Sequence, residues 1–270
     1  MAYPRRNGTV YSVLILVCIV GFWLFENFYT PATYSYNDES SSINEFPKKL
    51  LPSSTTGEIV NHSYFSLSYN EPFEQAEWVA YVLDKKHLTY DDRKRPYFIE
   101  DPFVSTKSAD YRNYKGSGYD QGHLVPAGDR RFSLQAYNET FYTSNISPQD
   151  REFNAGIWND LEQQTRRWAK KYGTLYVYTG GVLESGLEEI GQEDVDVPDS
   201  FYKIIARRKG DKIYSIAFLM ENKPQFVPLR NFVVSVDDIE KITGIDFFSE
   251  LPENKQSAFE SSKNTTGWKF

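Results

Sequence analysis

The first thirty residues set the strongest limit on what this chain can fold into. No charge occurs between Asn7 and Phe25, and Val10 to Phe25 is apolar apart from Ser12 and Gly21. A helix of such residues is hydrophobic all round, unlike a surface helix of a water-soluble domain. Its length lies near the ~20 residues of a spanning helix and just beyond the ~7–15 of a signal-peptide core. Arg5 and Arg6 precede it, and by the positive-inside rule they stay in the cytoplasm. We therefore expect residues 1–8 to be cytoplasmic and residues 9–29 to form a transmembrane signal anchor. The rest of the chain would then be extracytoplasmic. Secretion after cleavage near Thr30-Pro31-Ala32 is the alternative. Residues 30–61 are rich in Ser, Thr, Pro, Asn and Asp, as in Asp38-Glu39-Ser40-Ser41-Ser42, and read as a flexible linker. A folded domain over 62–270 remains.

That domain has material for a core, because hydrophobic residues make up 40% of the chain and aromatics 16%. The single cysteine, Cys18, lies in the apolar run, which excludes an intrachain disulfide and a cysteine-based zinc site. A net charge of -7 argues against tight, stoichiometric nucleic-acid binding, and less against an enzyme that turns nucleic acid over. Attraction to phosphate has to come from a local patch.

Trp78 to Leu83 and Thr174 to Thr179 are short, aromatic and β-branched, so each reads as a buried strand. Lys203–Arg207 and Ile213–Met220 are two more strands, with Gly210-Asp211 as a hairpin turn between them. Ala155 to Tyr172 reads as a helix stopped by Gly173. At 100° per residue its Ile157, Leu161, Trp168 and Tyr172 fall in a stripe of about 60°. Ser235-Val236-Asp237-Asp238 signals a second helix start, with Gly244 as its end. The pattern predicts an α+β domain with a mixed or antiparallel sheet and flanking helices.

The chain has three histidines. His62 and His87 lie in polar stretches and read as surface residues. His123 lies in Gly118-Tyr119-Asp120-Gln121-Gly122-His123-Leu124-Val125-Pro126-Ala127, where glycines and a proline argue for a rigid turn beside a strand. A neutral imidazole there can take a proton from water near pH 7. On this window alone, a structural histidine fits as well as a catalytic one. Downstream, Asn154 lies at or just before the predicted helix start, and Glu162 and Arg166 lie off its apolar stripe. These side chains could supply a cation ligand, a carboxylate and a phosphate grip. Taken singly, they could equally be an N-cap and a surface i,i+4 pair.

The run GYDQGHLVPAGD, then SNISPQ, then FNAGIWNDLEQQTR, resembles the DNA/RNA non-specific endonucleases of the ββα-metal (His-Me finger) group. The similarity runs from about Trp78 to Leu251. It implies a ββα-metal finger active site that hydrolyses phosphodiester bonds of DNA or RNA with little sequence preference. It implies His123 as general base, and Asn154 as the one protein ligand of a catalytic Mg²⁺ or Mn²⁺. Asn145 would orient the histidine or the substrate, Glu162 would hold the metal's water shell, and Arg166 would contact the scissile phosphate. The product would carry a 5′-phosphate. The family's Asp-Arg-Gly-His is here Asp120-Gln121-Gly122-His123, so Gln121 would meet substrate without a positive charge, with Arg130 and Arg131 as the nearby compensating cations. A nuclease-like binding module and a phosphodiesterase of small diesters are the competing readings. The expected partners are a nucleic-acid substrate and, through the N-terminal helix, a membrane.

Overall fold

The computed structural model describes residues 7–29, 34, 46–53, 55–210, 212–252, 256, 259–263 and 265–270. Arg5, Arg6, the 30–32 cleavage candidate, the 38–42 stretch and Asp211 lie outside the described residues. The chain divides into two units, Met1–Tyr34 and Ser35–Phe270. In the first, α1 (Asn7–Phe28) is one continuous helix. Its segment Gly8–Phe25 has a mean hydropathy of 2.3 and buries none of its surface, so it is long and apolar enough to cross a membrane.

The second unit is built on a seven-stranded antiparallel sheet in the order β1-β2-β3-β6-β9-β10-β11. These strands are β1 (Glu58–Asn61), β2 (Phe65–Asn70), β3 (Gln75–Leu83), β6 (Leu175–Gly181), β9 (Ser200–Lys209), β10 (Lys212–Glu221) and β11 (Val233–Val234). A second sheet pairs β4 (Asp120–His123) with β5 (Ile146–Gln149), and a third pairs β7 (Glu188–Ile190) with β8 (Val195–Val197). The helices are α2 (Leu134–Glu139), α3 (Arg151–Phe153), α4 (Asn159–Tyr172) and α5 (Val236–Thr243). The expected α+β class with an antiparallel sheet is what the chain adopts.

Both faces of the large sheet are covered, so the central strands lack apolar–polar alternation. All nine residues of β3 are buried. Its Val79, Tyr81 and Leu83 enter one core with Leu161 and Trp168 of α4. Its Trp78, Ala80 and Val82 enter the other with Val236 and Ile239 of α5. The β9–β10 turn is reached through Gly210 at φ 61°, a left-handed conformation that glycine adopts without a Cβ clash. Ser235 and Asp238 form a reciprocal capping box at the start of α5, and Gly244 closes it in the left-handed region, as the sequence predicts.

Three expectations need correction. The domain does not begin at residue 62. Phe46 and Leu50 are buried in the α5-side core, the Ser53 N–H donates to the Asp246 carbonyl at 2.8 Å, and β1 occupies 58–61. This segment reads as linker because it carries only a few apolar anchors and an edge strand with three of its four residues exposed. His62 and His87 are buried rather than on the surface. The Nε2 of His62 lies 2.9 Å from the Asp101 carboxylate, and His87 stacks on Phe132 at 4.3 Å.

The last residues wrap an edge of the sheet. Phe259 is buried in the α5-side core and Trp268 in the α4-side core. The Lys269 carbonyl accepts hydrogen bonds from Trp168 Nε1 (2.8 Å) and Gln164 Nε2 (3.0 Å) of α4.

Candidate active site

The site forms where β4, β5 and the following helical run meet. His123 ends β4 opposite Ile146, and Gly122 sits opposite Ser147. A Cβ on Gly122 would lie 2.2 Å from Gln149 Cδ, so any other residue here would force the buried Gln149 side chain to move. Asn145 is fully buried, and its amide is spent on backbone. Its Oδ1 accepts from Val125 N (2.9 Å), and its Nδ2 donates to the carbonyls of Val125 (3.1 Å) and Thr140 (2.9 Å). Asn145 thereby fixes the backbone just after His123 and does not face the cleft.

The chain leaves β5 and enters α3, capped by Asp150, whose carboxylate accepts from Glu152 N and Phe153 N. The helical run therefore starts four residues before the expected Ala155. Asn154 is not its cap. It opens the segment Asn154–Trp158, where the helical path is kinked at Gly156, whose φ -97°, ψ -111° is not helical, and α4 follows. A kink re-aims the residues before it relative to those after it. Asn154, before the kink, and Glu162, beyond it, line one cleft.

That cleft has a volume of about 220 Å³ and is lined by His123, Pro126, Ala127, Gly128, Asn154, Ala155, Asn159 and Glu162. Asn154 Nδ2 donates to Asp120 Oδ2 at 3.2 Å, which ties the amide to the strand that carries His123. The His123 ring packs against Phe98 and Phe141, with centroids 5.6 and 5.0 Å away. Its Nε2 is covered and has no hydrogen-bond partner among the described residues. Burial, with a smaller contribution from the Arg95 guanidinium, pushes the imidazole down to about 3, so it is neutral at pH 7. Arg95 itself lies 5.2 Å over Phe98 and 5.4 Å over Phe141.

Glu162 and Arg166 are not a solvated surface pair, since their side chains are only 14% and 23% exposed. Arg166 Nη2 donates to Glu162 at 3.1 Å, and its Nε donates to Asp129 Oδ1 at 2.5 Å. The guanidinium lies over Gly128, where a Cβ would come within 3.0 Å of Nη2. Burial pushes the Glu162 carboxyl up to about 7, against the opposing pull of Arg166 and Lys203. Lys203 of β9 is fully buried on the same face, 4.7 Å over the Trp158 ring, and burial draws its amine down to about 8.

Arg130 was expected to meet substrate, and the structure corrects this. It is fully buried and donates to the carbonyls of Asp129, Tyr64 and Val82, bracing the β3 side of the core. Arg131 stays near the surface. With Thr89, Tyr90, Arg166 and Lys170 it lines a second cleft of about 320 Å³, which shares Gly128 with the first. Gln121 is partly buried, and its Nε2 donates to the Tyr111 carbonyl at 3.4 Å. The sequence reading did not single out Asp120, Asp129, Arg95 or Lys203. Asp120 and Asp129 stand inside the quoted motifs, where acidic residues beside a turn have many ordinary uses. A lysine inside a strand gives no signal that it lies beneath a carboxylate.

The model of the DNA/RNA non-specific endonuclease family matches residues 43–254. The mitochondrial nuclease EXOG of Xenopus laevis is 36% identical over 213 residues, covering 73% of this chain and 59% of that protein. Nuclease C1 of Cunninghamella echinulata var. echinulata is 35% identical over 219 residues (73% of this chain, 85% of that one). Human mitochondrial endonuclease G is 33% identical over 222 residues (77% and 74%). The crystal structure of an EndoG/EndoGI complex contains a chain that superposes with a TM-score of 0.67 at 32% identity, covering 74% of this chain and 89% of that one. The chain belongs to the DNA/RNA non-specific endonuclease family. It spans about three fifths of the length of the EXOG proteins it matches.

Proposed function

We propose that this chain is a metal-dependent endonuclease that hydrolyses phosphodiester bonds of DNA and RNA with little sequence preference, using a ββα-metal finger. The observation that carries this reading is the convergence of His123, Asn154 and Glu162 on one cleft, with Asp120 linking the strand of the first to the helix of the second.

The cleft suits a hard divalent cation. Asn154 Nδ2 is engaged by Asp120, which leaves Oδ1 as the amide's ligand atom. Glu162 adds a carboxylate, and the lining holds no thiol. Oxygen donors of this kind fit Mg²⁺ or Mn²⁺ with most of the water shell retained. Asn154 would be the direct ligand and Glu162 the holder of metal-bound water. When bound, the cation supplies positive charge for the phosphate and the leaving oxygen.

The chain's own residues do the rest. His123 is neutral and so can accept a proton. Because Nε2 is covered, Nδ1 is the accepting atom in this reading. A basicity this low in the free protein rises when a phosphate brings negative charge beside the ring, so base strength is coupled to substrate. Asn145 holds the backbone that aims His123. Asp129 and Glu162 fix Arg166, whose Nη1 is uncommitted among the described residues and can donate to a non-bridging phosphate oxygen. Arg131 and Lys170 in the adjoining cleft extend the phosphate track, and Tyr90, 89% exposed at its edge, offers a face for an unstacked base. Contacts to phosphate rather than base edges give little sequence discrimination. The products carry a 5′-phosphate and a 3′-hydroxyl.

α1 anchors the chain in a membrane, with the catalytic domain on the side opposite Arg5 and Arg6. Alkaline carbonate extraction and protease protection of the expressed chain test this, and full release by carbonate would refute it. The function is tested by plasmid nicking with the full chain in detergent, with Mg²⁺, with chelator, and as His123→Ala. Nicking that needs both metal and His123 is the expected result. Absence of nicking with either Mg²⁺ or Mn²⁺ would overturn it.

A further inference from the structure

On the α5 side of the sheet, far along the chain from the catalytic motifs, three carboxylates converge. Asp237 and Glu240 come from α5, and Glu260 comes from the tail, six residues beyond the end of the family match. One oxygen from each lies within 4.8 Å of the others. Asp246 adds further negative charge, and Glu240 Oε1 accepts the Phe247 N–H at 2.8 Å. Among the described residues no lysine or arginine pairs with Asp237, Glu240 or Glu260. Lys263 is committed to Asp238 at 2.7 Å.

An acidic surface of this kind is unremarkable until Glu260 is considered. This residue is only 7% exposed, and its Oε1 is covered and without a hydrogen-bond donor among the described residues. A carboxylate oxygen taken from water with no partner is costly, and two further carboxylates aimed at the same point increase the cost. The same arrangement becomes favourable when a hard divalent cation sits among the three oxygens and its remaining sites keep water through the exposed side of Asp237.

We infer that Asp237, Glu240 and Glu260 form a divalent-cation site, separate from the catalytic cleft, that takes Ca²⁺ and pins the tail to α5. Ca²⁺ is preferred over Mg²⁺ because the three side chains come from two separate segments of the chain, and Ca²⁺ accepts irregular oxygen geometry more readily than the near-octahedral Mg²⁺. The function of the site is structural. Phe259, next to Glu260, enters the α5-side core, and Trp268 closes the α4-side core against Trp168. A cation at Glu260 therefore secures the segment that wraps from one side of the sheet to the other.

The test is calorimetric titration of Ca²⁺ into the full chain carrying Asn154→Ala, which removes the direct catalytic ligand so that the remaining heat reports the second site. One Ca²⁺ per chain is expected, weakened at least tenfold by adding Glu260→Gln. Ca²⁺ at ten times Kd should raise the melting temperature by on the order of 3–6 °C, and this rise should vanish in Glu260→Gln. In chelator, Glu260→Gln should melt at or above the parent, because the amide removes like-charge repulsion. If Glu260→Gln fails to fold, Asp237→Asn at the exposed edge serves instead, with the same expected loss of Ca²⁺ binding. No Ca²⁺ uptake in the Asn154→Ala chain, or uptake unchanged by the tail and helix substitutions, would overturn the site. The readout is cation binding rather than cleavage, so its outcome is independent of whether the chain cuts nucleic acid.

Discussion

The two sides of the central sheet are built by different means. The α5 side is closed by aromatic edges: Phe46 on Tyr178, Tyr178 on Phe247 and Phe248, and Phe248 on Phe259, all near 5–5.5 Å and close to perpendicular. Its helix begins with a capping box and ends at a left-handed glycine, so local sequence and packing agree. The α4 side holds Glu162, Arg166, Asp129 and Lys203 beneath a helical run kinked at Gly156. Each of those buried charges costs folding energy, and the kink gives up regular helix. The difference teaches that aromatic packing carries the α5 side, with its perturbed carboxyls confined to the edge where the tail meets α5, while the α4 side holds perturbed groups beneath the helix that lines the cleft.

If that division is right, substitutions on the two sides should fail differently. The largest effect is expected from His123→Ala: nicking rate falls about 10²–10⁴-fold, the usual contribution of a general base, while the melting temperature changes little. Asp120→Ala removes the partner of Asn154 and should weaken Mg²⁺ dependence about 10–100-fold, read from the half-saturating Mg²⁺ concentration for cleavage. Ile239→Ala on the α5 side should do the reverse. It should cost about 2–5 kcal/mol in chemical denaturation while the folded fraction keeps its cleavage rate per molecule. Equal loss of rate in Ile239→Ala and His123→Ala would erase the distinction between the sides.

The pH dependence sharpens the same contrast. Burial holds folded His123 at about 3 against an ordinary 6.5, so between those values the unfolded chain binds a proton that the folded chain refuses. Stability contributed by this site is therefore lost as pH falls below 6.5, and His123→Gln should remove that acid-side loss. Burial holds folded Glu162 at about 7 against 4.5, so here the folded chain keeps the proton and stability is lost as pH rises through that window. Glu240 and Glu260 on the α5 side move in the same direction, to about 7 and 8. Melting temperatures from pH 4 to 9 should thus show an alkaline loss relieved partly by changes on either side, and an acid loss from His123 relieved only on the α4 side. The smallest effect is expected from Gln121→Arg, which should tighten DNA binding a few-fold and steepen its salt dependence by roughly one phosphate contact.

Much of this molecule could be read before its fold was known, wherever the determining interactions are local. The spanning-length helix, β3, the β9–β10 hairpin and α5 with both of its ends follow from hydrophobic runs, glycines and capping residues that act within a few positions. The residues proposed for catalysis are legible through ordered motifs, which carry His123, Asn154 and Glu162 as a set. Residues whose roles depend on distant partners were not legible. Arg130 reads as a surface cation and is buried because three backbone carbonyls, two of them from distant segments, reach it. Asn145 reads as orienting either the histidine or the substrate, and only its bonds to the backbone of Val125 and Thr140 show which segment it holds. Phe46 and Leu50 look like stray apolar residues in a tether until α5 and β6 supply the core that receives them.

The sequence alone settled the class of fold, the family and the residue types available for chemistry, because those rest on local patterns and on motif order. Only the tertiary structure decided which charges are buried, that Asn154 and Glu162 line one cleft on either side of a kink at Gly156, and that Glu260 meets α5. Burial, and contact between segments far apart in the chain, are properties of the packed molecule, and no window of sequence contains them.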